Sequence, residues 1–156
     1  MIFDAIEDFA RALGPQGALA GLDLGTKTIG VAVSDGLRRV ASPLETIRRT
    51  RFSDDAARLQ EILSARDIRG LVLGLPLNMD GSEGPRCQSS RAFARNFSRV
   101  RAMPIAFWDE RLSSVAAERA LLEADTSRKR RGEVIDQVAA GYILQGALDR
   151  LAHLER

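Results

Sequence analysis

The stretch that most constrains this chain is Gly21-Leu22-Asp23-Leu24-Gly25-Thr26-Lys27-Thr28-Ile29-Gly30-Val31-Ala32-Val33-Ser34-Asp35. Ala18 to Leu24 is almost continuously apolar, as suits a strand buried on both faces. One carboxylate, Asp23, interrupts it. An ionised carboxylate in apolar surroundings costs several kcal/mol unless it is paired, hydrogen-bonded or bound to a metal. A short polar connection, Gly25 to Thr28, then leads into a second strand, Ile29 to Ser34. The pattern predicts a hairpin whose first strand ends in a buried acid beside a glycine turn. Such a turn brings backbone N–H groups and the Lys27 charge close to a phosphate. Two readings stay open here: Asp23 caps a turn or pairs with an arginine, or it belongs to a site.

Composition narrows the chemistry. At 156 residues, 45% hydrophobic and 28% charged, the chain is expected to be one soluble domain with a real core. No apolar run reaches the ~20 residues of a membrane span, and no signal peptide is read at the start. A single cysteine, Cys87, forms no internal disulfide and no cysteine-based zinc site, which fits a cytoplasmic setting. The single histidine, His153, argues against a histidine-rich metal site or a catalytic triad. Net charge is only +2, yet just Lys27 and Lys129 of the 23 basic residues are lysine. Residues 84–131 hold eleven basic against five acidic groups. Arginine binds phosphate bidentately, so the bias suits nucleic acid, although a GC-rich genome would produce it too.

Along the chain, Ile2 to Leu13 is expected to form an amphipathic helix, with residues 1–17 an extension preceding a domain at 18–156. Asp35-Gly36 signals a turn, and Val40 to Ile47 a third strand whose Pro43 suits an edge. Arg48, Arg49 and Arg51 form a basic corner, read as solvated surface. A helix starting at Ser53-Asp54-Asp55 runs to about Arg66, and Gly70 to Leu75 is a central buried strand. The loop from Leu77 through Asn78 to Pro85 opens a helix over 86–101 that lacks any acidic residue. Phe93, Phe97 and Val100 are its core stripe; Arg91, Arg95 and Arg99 form a second stripe. Like charges at that spacing repel by a few tenths of a kcal/mol per pair, so a polyanion or neighbouring carboxylates should compensate them. Pro104 to Trp108 is a last strand running into Asp109-Glu110-Arg111. A helix from Ser113 or Ser114 to Leu122, a basic connector at Asp125 to Arg131, and a final helix from Gly132 to about Leu151 complete the order.

On the final helix, Asp136 falls in the middle of the apolar stripe formed by Ala139, Ala140, Ile143, Ala147 and Leu151. Three antiparallel strands followed by alternating helices and strands predict a mixed α/β sheet with helices on both faces. Three acidic positions are then out of place: Asp23, Asp109/Glu110 and Asp136. Brought together they would raise one another's pKa values unless divalent cations neutralise them. Mg²⁺ or Mn²⁺ suits oxygen ligands. A carboxylate cluster holding two such ions about 4 Å apart hydrolyses phosphodiesters without any histidine.

Four segments carry a resemblance: residues 21–32, Gly74 to Ser82, Asp109 to Ser113, and Asp136 to Ala140. In that order and spacing they resemble the YqgF family of bacterial pre-16S rRNA nucleases, relatives of Holliday-junction resolvases with an RNase H-like fold. The resemblance spans roughly Ala18 to Leu148. It implies a cytoplasmic, metal-dependent endonuclease trimming the 5′ end of the small-subunit rRNA precursor. Asp23 then resembles the first-strand catalytic acid and Asp136 the final-helix acid, with Glu110 the middle acid and Asp109 its alternative. Lys27, Asn78, Arg91, Arg95, Arg99 and Arg111 are the expected nucleic-acid contacts. Thr28 stands where many members carry arginine. Branched DNA is the alternative substrate, and the expected state is a monomer or weak homodimer with no membrane contact. Two further readings are a non-catalytic RNA-binding or transcription-associated factor, and a nucleotide-binding module. Residues 23–28 also resemble the phosphate hairpin of actin-like ATPases and sugar kinases, but those need two such domains.

Overall fold

The computed structural model describes residues 1–111 and 128–155, the side chains of 128–134 excepted. One six-stranded sheet organises them. In chain order the elements are β1 (Ile2–Phe3), α1 (Ile6–Ala12), β2 (Leu19–Leu24), β3 (Thr28–Ser34) and β4 (Ala41–Arg48). There follow α2 (Phe52–Ala65), β5 (Gly70–Leu75), α3 (Pro85–Val100), β6 (Ile105–Asp109) and α4 (Arg128–Leu154). The sheet order is β1-β6-β5-β2-β3-β4. Strands β2, β3 and β4 form the expected antiparallel meander, while β5 pairs parallel with both β2 and β6. Strand β4 lies at the edge, where Pro43 costs no ladder bond to a further strand.

The period-2 alternation of each strand separates two cores of different grain. On one face, Leu22, Leu24, Ile29, Val31, Leu71, Leu73, Ile105 and Phe107 meet α2 and α3 through Leu59, Leu63, Phe93 and Phe97. The other face is made of small residues. Gly21, Gly30 and Gly74 lie there beside Ala32, Val72 and Ala106, and α4 covers them with Ala140, Ile143, Leu144, Ala147 and Leu148. Small residues on both sides let the helix axis come close. The approach is tightest at Gly30, where an added Cβ would lie 1.9 Å from the backbone carbonyl oxygen of Asp136.

Several boundaries differ from the sequence reading for identifiable reasons. The first residues are not helical: Ile2–Phe3 pairs parallel with β6, and only Ile6–Ala12 winds into α1. Phe9 of α1 is fully buried in the α4-side core. At the start of α2 the N-cap is Arg51 and no side chain, Ser53 included, makes a capping bond. The buried Asp55 accepts from the Thr50 backbone N–H at 3.1 Å. Arg128 to Arg131, read as part of a connector, already belong to α4. The helix expected from Ser113 to Leu122 lies outside the described residues. Among the described residues, no helix is long and apolar enough to cross a membrane.

The close approach at Gly30 has a direct consequence. Gly30→Ala should lower stability by about 1–3 kcal/mol, the usual cost of overpacking a core. At this chain length that is roughly 2–12 °C in Tm. Gly36→Ala, whose Cβ would meet nothing within 4 Å, should be near neutral in the same thermal melts.

Candidate active site

Strand β2 presents Leu19, Gly21 and Asp23 to the α4 face, and Asp23 is the last of the three. Its antiparallel partner across the ladder is Gly30. On the other side the parallel register pairs Leu22 with Leu73, which brings Gly74 next to Asp23. A carboxylate between two glycines has open space on both flanks, and the two other acids occupy it. Gly30 lies under the backbone of Asp136. Gly74 leaves room for Glu110, whose Oε2 would be 2.4 Å from a Cβ at that position. Three acids that are 87 and 26 residues apart in sequence thus gather at one end of the sheet.

Strand parity separates Asp109 from Glu110. Ala106 and Trp108 face the α4 side, with Trp108 packed against Gly146, so Glu110 continues on that side. It is only 7% exposed. Asp109 turns away and is held by Arg111, with Nη2 2.5 Å from Oδ2, which keeps its carboxyl below the usual range.

The electrostatics of the cluster are unbalanced. Burial pushes Asp23 up from its ordinary 3.8 to about 7, with the charges of Glu110 and then Asp136 adding to the rise. Burial raises Glu110 as well. Among the described residues, the cation opposing both shifts is Arg86, on the first turn of α3. Asp136 accepts a hydrogen bond from the Thr28 hydroxyl, 2.5 Å from its Oδ2. Sequence reasoning gave no role to either residue. Arg86 was hidden in a run of arginines, and Thr28 was noted only as a departure from arginine.

The donor set suits a hard divalent cation. It consists of carboxylate oxygens, carries excess negative charge, and includes neither histidine nor cysteine. Among the described residues, no three such side chains close tightly enough to form a metal cage by themselves.

The remaining expected contacts fall into two groups. Lys27 sits exposed at the tip of the β2–β3 hairpin, and Arg95 and Arg99 are exposed on α3. Arg91 is different: its guanidinium binds Glu83 at 2.7 Å and Asp4 at 2.8 Å and lies over the Phe107 ring. The charge that the sequence left uncompensated at Arg91 is therefore compensated within the chain. Asn78 closes its own loop, bonding Ser82 through both backbone and side chain. With Arg86, Glu110 and Arg111 it lines a cleft of about 340 Å³ beside the acidic cluster.

Comparison with known proteins shows the family and the fold. The family model RuvX, described as Holliday junction resolvase, matches residues 17–150. A protein of Paracoccus denitrificans named "Putative pre-16S rRNA nuclease" is 73% identical over 156 residues, covering all of this chain and 99% of that protein. A Cereibacter sphaeroides protein of the same name is 72% identical, again over all of this chain and 98% of that protein. Among solved structures, T. thermophilus RuvC in complex with Holliday junction substrate is similar at a TM-score of 0.52 and 14% identity, over 86% of this chain and 96% of that one. The yeast mitochondrial Holliday junction resolvase Ydc2 gives 0.53 and 12%, over 96% and 85%. At such identities the likeness is one of fold, and it is the expected RNase H-like sheet.

The raised carboxyl of Asp23 predicts how stability depends on pH. Its pKa in the folded protein lies above the unfolded value, so folding takes up a proton. The stabilisation is complete below about pH 4 and is lost as pH rises toward 7. Thermal melts in chelator should therefore show Tm falling over that window more steeply for the wild type than for Asp23→Asn. Mg²⁺ or Mn²⁺ should restore the wild-type Tm at pH 7 and above. Parallel curves for the two proteins would contradict the account.

Proposed function

Because the chain belongs to the RuvX family, we propose that it is a divalent-cation-dependent nuclease that matures the 5′ end of the small-subunit rRNA precursor. The observation that carries this reading is the trio Asp23, Glu110 and Asp136, part-buried or buried and gathered at one end of an RNase H-like sheet, with the charge of Arg86 opposing theirs. The rRNA substrate is favoured because relatives identical at 72–73% carry that name.

Asp23, Glu110 and Asp136 would hold Mg²⁺ or Mn²⁺. When bound, such ions supply an activated water and stabilise the leaving 3′ oxygen of a phosphodiester. The protein's own groups do the rest. Thr28 fixes the Asp136 carboxylate through its hydroxyl. The glycines on either side of Asp23 keep the site shallow enough for a sugar–phosphate chain to reach it. Arg86 moderates the negative field at the cluster and offers donors to phosphate. Lys27, Arg95 and Arg99 add affinity that carries no sequence information. Asn78 and Arg111 line the cleft beside Glu110. Arg91 braces α3 against Glu83 and Asp4.

A branched-DNA substrate is the second reading, favoured by the description of the family model and by the likeness to a resolvase in complex with its junction. Offering the purified protein a precursor rRNA 5′ junction and a four-way DNA junction under identical metal conditions separates the two. Asp23→Asn, Glu110→Gln and Asp136→Asn should each lose more activity than the ~10–100-fold typical of outer-shell changes. Thr28→Val should fall within that range, and Asp109→Asn should stay active. A fully active Asp23→Asn protein would remove the metal-centred reading.

A further inference from the structure

A second cleft of about 400 Å³ lies behind the hairpin turn, lined by Gly25, Thr26, Arg49, Thr50, Arg86 and Ser89. Its lining contains two guanidinium groups and several hydroxyls but not one carboxylate. Both arginines are positioned by the backbone end of β2. Arg49 donates through Nη1 to the Gly25 carbonyl at 2.6 Å, and its guanidinium lies 5.9 Å from the centre of the Phe93 ring. Arg86 reaches the Leu24 carbonyl at 3.5 Å. The corner is built into the fold: the Arg49 N–H donates to the Lys27 carbonyl, tying the end of β4 to the hairpin. Arg86 and Ser89 put the first turns of α3 on its wall, and the helix start, which carries no acidic residue and no side-chain cap, lies at Gly84 and Pro85 in the neighbouring cleft.

Two half-fixed cations facing one cleft repel each other unless an anion lies between them. The planar forks of arginine, with threonine and serine hydroxyls nearby, are the donor set that phosphate takes. A helix N-terminus adds field of the same sign. Arg86 lines both this cleft and the one beside Glu110, so the two are continuous through a single side chain.

We propose that this cleft is a phosphate subsite, in which Arg49 and Arg86 hold a backbone phosphate of the nucleic acid adjacent to the scissile one. The proposal rests on the nuclease reading above. It gives the β4–α2 corner, read from sequence as solvated surface, the task of setting where the strand lies before it is cut. Arg49 acts as a positioning residue, since it contacts the strand away from the reacting atoms.

The test uses the full chain and a labelled RNA carrying the precursor 5′ junction, with binding measured in chelator against salt concentration. Binding is read without cleavage, so failure of the nuclease reading and failure of the subsite are distinguishable. Arg49→Gln should reduce the slope of log affinity against log salt by about 0.7–0.9, the contribution of one phosphate contact. Arg49→Lys should restore most of the slope, which a merely structural role would not require. A scan replacing one phosphate at a time by methylphosphonate should find one position whose neutralisation weakens the wild type clearly more than it weakens Arg49→Gln. The same position should show a reduced penalty in Arg86→Gln as well, which keeps the test open if Arg49→Gln fails to fold. Unchanged slopes in folded variants, penalties identical to wild type at every position, or no RNA binding at all would each overturn the proposal.

Discussion

The close approach of α4 to strands β2 and β3 is the constraint on which the rest of the structure depends. At Gly30 the helix backbone occupies the space a side chain would take, and at Gly21 the Leu144 Cβ lies 2.7 Å from where one would be. Glycine in a strand interior gives up packing and entropy, roughly 0.5–1 kcal/mol at each position. Burial of Ile143, Leu144 and Leu148 against Val72 and Ala106 offsets that loss, since each such side chain contributes about 1.5–3 kcal/mol when fully covered. The result is a helix seated low enough for Asp136 to reach the end of β2. A helix at ordinary distance would carry the same sequence and leave the cluster one acid short.

The same geometry explains why the site is electrostatically uncomfortable. Asp23, Glu110 and Asp136 share one end of the sheet, and among the described residues Arg86 is the cation that opposes the rise of both Asp23 and Glu110. Elsewhere on the described surface, acids have arginine partners: Glu45 and Glu61 share Arg58, Glu83 and Asp4 share Arg91, and Asp109 has Arg111. A chain with this many arginines could have neutralised the trio. Among the described residues the trio keeps more negative charge than its one opposing cation balances, which is the electrostatic imbalance on which the proposed cation dependence rests.

How much of this was legible follows from which signals are local. The meander, β5 and the burial of α4's stripe could be read because alternation and helical periodicity are properties of short windows. Asp136 stood out for the same reason, as a charge in the middle of an apolar face. Strand β1 could not be found, because two residues carry no period, and only the parallel edge of β6 makes them a strand. The choice between Asp109 and Glu110 was equally hidden. Phe107 and Trp108 are both apolar, so alternation along β6 does not say which face the next residue takes. Parity became visible only once Phe107 was seen against the α2–α3 core and Trp108 against Gly146. The β5 sequence Gly70-Leu71-Val72-Leu73-Gly74-Leu75 did contain a usable signal. Its small residues recur on the face that α4 covers, a grain that an apolar-or-polar reading does not register.

Thr28 shows how one substitution can redistribute roles around a fixed acid. An arginine at this position would set a long cation beside Asp136 and partly neutralise it. Threonine instead gives a short donor that orients the carboxylate and leaves its charge intact. Within the hairpin Lys27 is then the one basic side chain, and further positive field comes from outside it. Arg49 and Arg86 supply it from two separate elements, both braced on the carbonyls that follow Asp23. Because both lean on the backbone at Leu24 and Gly25, any shift of the β2 end moves the acid and its cations together. Asp23 and the two arginines are thereby registered on one turn of chain, and the glycine at position 25 keeps that turn tight, its N–H donating to the Thr28 carbonyl at 2.9 Å.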